Sequence, residues 1–170
     1  MSEAVSPLRL PRWNELPDLD IYMDQVLSLL SRYLRDLPGL EEKGLTASMV
    51  NNYVKQGILP APVGKRYNRT HLACLLIITI LKSVLPIGSI GRILRRELES
   101  GRPCDELYDR FCDTFESAGF ATAESAGASE DPAELSRAIF RAALRSRAEQ
   151  ALALRMLGSL PDPDPAPRKR

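Results

Sequence analysis

A mostly α-helical fold is predicted for this chain by three observations. Apolar residues recur at three- and four-residue steps, Gly and Pro interrupt those runs at helix-length intervals, and alternating β-branched segments are scarce. The 170 residues suit one domain with extensions, and 44% hydrophobic with 26% charged residues is an ordinary globular composition.

The elements follow in order. A proline-dotted N-terminal segment (Pro7, Pro11, Pro17) reads as extended. In "DIYMDQVLSLLSRYLRDLPG" a helical stripe of Ile21, Val26, Leu29, Leu30, Tyr33, Leu34 and Leu37 runs up to Pro38-Gly39, which stops it. A second helix begins after Thr46 as N-cap and ends at Gly57. "ILPAPVGKRY" is too short and proline-rich for a helix and suits a small two-stranded wing or a tight loop. Asn68 caps an apolar helix from 69 to about 84, Pro86-Ile87-Gly88 breaks it, and "SIGRILRRELES" forms a shorter amphipathic helix ending at Gly101. Leu107, Tyr108, Phe111, Phe115 and Ala118 share a stripe of an acidic helix. "ATAESAGASED" reads as a loop or linker, a long Ala/Arg/Leu helix runs from Pro132 at N1 to about 157, and "GSLPDPDPAPRKR" is a disordered tail by composition. No internal repeat is visible.

Charge is unevenly distributed although the net is only +1. Residues 40–103 hold ten Lys/Arg against four acids, a net of +6, whereas 104–134 hold nine acids and one arginine, a net of −8. A basic middle beside an acidic segment makes nucleic acid a partner to test. The longest apolar run, "LACLLIITIL", falls far short of the ~20 residues of a membrane span and reads as a buried helix, so no membrane is expected. "MSEAVSPLRLPRW" lacks the apolar stretch of a signal peptide, and Cys74, Cys104 and Cys112 form no CxxC pair, which points to a reducing cytoplasm.

The segment 46–57 carries the most information. At 100° per residue Met49, Val50, Tyr53 and Val54 gather on one side, and Ser48, Asn51, Asn52 and Lys55 on the other. Asparagine is a poor helix former, so two in mid-helix cost stability that a use for their amides would explain. Such amides make bidentate contacts to an adenine edge, and Ser and Lys bind bases or phosphates. A solvated helix face is the plain alternative. Beyond Gly57, Lys65 and Arg66 close the wing or loop and Arg69 opens the next helix, an arrangement in which the helix reads bases and the basic flank holds phosphates.

"VNNYVKQGILPAP" followed by "KRYNRTHLACLLIITILK" resembles the DNA-binding domain of the MerR family. The shared order is a second helix running into Tyr, a Gly-hydrophobic-hydrophobic-Pro step, a wing ending in Arg and Tyr, and a long apolar helix. Val50, Tyr53, Gly57, Ile58, Leu59, Pro60, Arg66, Tyr67, Leu72 and Leu75 match it. Over about residues 20–100 the chain more closely resembles a bacterial family known as domain of unknown function 1836, regarded as having a MerR-like helix-turn-helix core. MerR regulators usually carry Arg-Tyr-Tyr-Glu where this chain has Asn51-Asn52-Tyr53-Val54, and the wing between Pro60 and Tyr67 is short.

The resemblance implies a mostly α fold, a MerR-like winged helix-turn-helix followed by further C-terminal helices. The expected layout is an extended segment 1–19, the helix-turn-helix domain 20–102, a helical region 103–158 and a disordered tail 159–170. The expected function is a DNA-binding transcriptional regulator binding double-stranded DNA through Ser48, Asn51, Asn52, Lys55, Lys65, Arg66 and Arg69. The alternative is a protein-interaction module that keeps the fold without DNA readout. No catalytic site, metal or cofactor is expected. His71 is a lone histidine, Glu97 and Glu99 diverge on their helix, and no phosphate loop, nucleophile elbow or HExxH is present. Cys104 and Cys112 with Asp105, Asp109 and Asp113 read as an acidic solvated face rather than metal ligands. The small residues of the last helix allow close docking on the core or on a second subunit, and a homodimer through the C-terminal helices is the MerR analogy. Arg137, Arg141 and Arg145 read as neutralising the acidic segment within one chain.

Overall fold

The computed structural model describes residues 9–37, 39–40, 44–126 and 131–161, with the backbone alone for 120–126. Pro38, residues 1–8 of the N-terminal segment and residues 162–170 of the expected tail lie outside that range. Six α-helices and no β-strand are found among the described residues: α1 Met23–Leu34, α2 Ala47–Lys55, α3 Arg69–Leu81, α4 Ile87–Glu99, α5 Cys104–Ala126 and α6 Pro132–Leu157. The fold is mostly α.

α3 is the centre. Every residue from His71 to Ile80 is buried, because this helix packs against α1, α4 and α5 on different sides. An all-round apolar helix has no solvent face to spend, and each fully buried aliphatic side chain contributes roughly 1.5–3 kcal/mol. Asn68 starts it by accepting from the His71 backbone N–H at 3.2 Å. Thr79, the other buried polar residue, donates its hydroxyl to the Leu75 carbonyl at 2.7 Å, so burial leaves no lost donor. α1 supplies Val26, Leu30 and Leu34, with Leu37 just beyond it. α4 approaches the connector after α2 so closely that a Cβ on Gly91 would lie 2.9 Å from Ile58 Cγ1.

Three expectations need correction. A two-stranded wing does not form: within 58–68 there are only isolated antiparallel bridges, Val63 with Arg66 and Tyr67 with Ile21. Beyond the Val63–Arg66 closure the Tyr67 N–H and C=O pair with Ile21, and the segment closes as a tight loop. The expected linker from 121 begins instead as helix, since α5 runs to Ala126, and alanine and glutamate favour helix where no Gly or Pro intervenes. The N-terminal segment is also more than an extended leader. Leu10 and Leu16 are fully buried around a 3-10 turn at Trp13–Glu15. Arg12 bonds Asp113 and Glu116 of α5 at 2.7 Å each, and the Trp13 N–H donates to Asp109 at 2.8 Å. Trp13 also leans on Tyr108, the fully buried member of the α5 stripe, with ring centroids 6.4 Å apart.

Arg12, not the arginines of α6, is therefore the cation that two α5 acids meet. Arg137, Arg141 and Arg145 are exposed, and Arg137 pairs with Glu134 of its own helix.

Candidate nucleic-acid interface

Thr46 starts α2 by accepting from the Met49 N–H at 3.2 Å. Val50 and Tyr53 are buried and Met49 and Val54 half-buried, which fixes the rotation of the helix. Ser48, Asn51, Asn52 and Lys55 are consequently all exposed, and with Met49 they line one shallow surface depression. No acid belongs to this face.

Gly57 ends α2 with φ +68°, a conformation that costs glycine little. The Ile58 and Leu59 amides turn back to the Tyr53 carbonyl at 2.9 and 3.2 Å, and both side chains enter the core. From α4, Arg95 reaches the Gly57 carbonyl at 3.4 Å, adding a cation at the carbonyl end of α2.

The loop then reverses at Gly64 and Lys65, with φ +56° and +61°, and the Arg66 N–H donates to the Val63 carbonyl at 2.9 Å. Positive φ at both central residues defines a type I′ turn, the geometry that suits a tight hairpin. Lys65 thus sits at the exposed tip in a backbone conformation unusual for a residue with a Cβ. Tyr67 and Ile21 exchange two backbone hydrogen bonds of 2.9 Å, which ties the loop to the chain before α1. Tyr67 is buried edge-on against His71, with centroids 5.4 Å apart, so the loop packs onto α3.

Two of the basic residues are already engaged. Arg66 lies over the Tyr22 ring at 4.8 Å and donates to its hydroxyl at 2.9 Å, remaining exposed. Arg69 turns toward Asp18 at 3.6 Å and the Trp13 ring at 5.6 Å, in a separate depression that also holds Asp20 and Asn68. The α2 residues thus share one face, Lys65 and Arg66 share the turn, and Arg69 faces an acid elsewhere. Sequence reasoning missed Tyr22 and Arg95. Their partners are 44 and 38 residues away, and no local pattern encodes such a pairing.

The remaining chemistry is quiet. Burial pushes the Cys74 thiol up to about 12 and Cys112 up to about 11, so neither is a ready thiolate. Among the described residues no group of three His, Cys, Asp or Glu could hold a metal ion, and no helix is long and apolar enough to cross a membrane.

A family model described as "Domain of unknown function (DUF1836)" matches residues 11–111. No curated protein and no solved structure matches the chain. The matched span takes in Arg12, Trp13 and the first two turns of α5, with Asp109, and ends before Asp113 and Glu116.

Proposed function

Since the chain belongs to the DUF1836 family, whose description names no activity, its function has to be read from the site, and we propose that it is a DNA-binding transcriptional regulator. In this reading residues 20–102 act as a MerR-like helix-turn-helix domain whose second helix, α2, is the recognition helix, with the turn at Gly64–Lys65 serving as a reduced wing. The observation that carries it is the acid-free polar face of α2, followed along the chain by an exposed basic turn. Asn51 and Asn52 offer paired donor and acceptor groups suited to base edges in the major groove. Ser48 and Lys55 join them in the groove, while Lys65 and Arg66 hold phosphates and set register. The Tyr22 ring and hydroxyl reduce the freedom of Arg66, so less entropy is lost when it meets a phosphate. Arg69 reaches a phosphate only by exchanging its Asp18 partner.

Fluorescence anisotropy with duplex DNA across a salt series tests this. The log of affinity should fall linearly with the log of salt, and Lys65→Ala/Arg66→Ala should flatten the slope by about 0.9 for each phosphate no longer neutralised. Absence of binding at low salt, or a slope the double variant leaves unchanged, overturns the reading. The engagement of Arg66 and Arg69 within the chain then favours the alternative, a protein-interaction module that retains the fold.

A further inference from the structure

We propose that the outward face of α6 is a docking surface for an acidic amphipathic helix of a partner protein. α6 is 26 residues long, yet Ala138 is its one buried residue. One side meets the rest of the chain in part: Ala138, Ala142, Ala153 and Leu157 are buried or half-buried and Gln150 donates to the Val84 carbonyl at 3.0 Å, while Leu135, Ile139 and Met156 on that same side stay exposed. The opposite side holds Phe140, Leu144, Ala148, Ala151 and Leu152, spaced by three and four residues so that they fall in one row. Phe140 is 69% exposed, Leu144 58% and Leu152 53%. Single exposed apolar side chains are ordinary, but a continuous row along three turns marks an interaction surface.

Charge selects the occupant. Arg137 and Arg141 lie along one edge of the row and Arg147 along the other, all exposed. Of the acids in α6, Glu134 is bonded to Arg137, and Glu149 falls on the Ala138–Ala142 side. A second copy of α6 would set arginine rows against arginine rows, which disfavours self-pairing through this face. A helix with glutamates or aspartates beside its apolar stripe matches both the row and its edges. The small side chains of Ala148 and Ala151 let another helix approach closely, a feature that a lipid surface does not need.

The test uses the full chain and a labelled synthetic helical peptide of roughly 18 residues, with leucines at helical spacing and glutamates beside them. A lysine-for-glutamate version is the control. The glutamate peptide should bind and the lysine peptide should not. Phe140→Ser/Leu144→Ser should weaken binding at least about tenfold, a loss of about 1.4 kcal/mol, with helicity by circular dichroism unchanged. Arg137→Glu/Arg141→Glu should shift the preference toward the lysine peptide. Four results overturn the proposal: no binding of the glutamate peptide, equal binding of both peptides, equal binding by the variants, or a wild-type dimer in sedimentation that Phe140→Ser dissolves. Binding to phosphatidylglycerol vesicles that is lost in the Phe140/Leu144 variant, with no peptide binding, assigns the surface to membranes instead.

Discussion

α3 and α6 differ in the opposite sense from their lengths. The 13-residue α3 buries ten consecutive residues, while the 26-residue α6 buries one. Composition explains the inversion. α3 is apolar on every side and must be surrounded to form at all, whereas α6 alternates alanine with arginine and leaves its bulkier side chains outward. Stability therefore belongs to α3 and its neighbours, and α6 is a surface element whose large side chains are free for contacts between molecules.

The sharpest way to break this contrast is to cut one leucine from each helix. Leu75→Ala in α3, at a fully buried site, should cost roughly 2–5 kcal/mol of unfolding free energy in urea. Leu144→Ala in α6 should cost no more than about 0.5 kcal/mol. Comparable losses would make α6 part of the cooperative core and remove the basis for reading it as an open surface.

A smaller effect is expected at the two helix starts. Asn68 caps α3, and Asp131 caps α6 by accepting from the Ala133 N–H at 3.1 Å. Asn68→Ala should lower global stability by about 1 kcal/mol, since the turn it organises belongs to the core. Asp131→Ala should instead speed amide exchange in the first turn of α6 and leave the urea midpoint nearly fixed, because a peripheral helix frays on its own. Equal shifts in global stability would show that α6 unfolds with the rest.

The same contrast explains what the sequence could and could not foretell. Helix starts and stops were legible because they are local: Thr46, Asn68 and Pro132 open helices where expected, and Gly57 closes α2 with positive φ. The rotation of α2 was legible because Val50 and Tyr53 repeat at helical spacing. What was not legible is long-range. The grip of Arg12 on Asp113 and Glu116 spans about a hundred residues, and the Tyr22–Arg66 stack joins segments that the Tyr67–Ile21 bridge and the Arg69–Asp18 pair bring together. The wing was misjudged because turn chemistry at Gly64–Lys65 suits a hairpin, whereas the pairing stops at the Val63–Arg66 bridge and Tyr67 pairs with the distant Ile21 instead. Which face of α6 stays open is likewise a property of what α5 covers, not of α6 alone.

The last contrast lies in titration. α6 contains no histidine. α3 carries the buried His71, whose pKa is lowered from the ordinary 6.5 by burial, with the Ala61 and Pro60 carbonyls and the Asp20 carboxylate pulling the other way. His71 Nδ1 lies 2.7 Å from the Asn68 Oδ1 and 3.1 Å from the Asn68 backbone nitrogen, and the ring tautomer sets which of the two contacts is the hydrogen bond. The unfolded chain then takes up its proton first as pH falls. Stability from this group is complete above about 6.5 and is lost progressively below it, toward the lower folded value. Urea midpoints should accordingly drop between about pH 7.5 and about pH 5.5, and His71→Gln should flatten that drop even if it lowers the whole curve. A drop of the same steepness in His71→Gln would place the responsible proton elsewhere and remove the histidine of α3 as the source of the pH dependence.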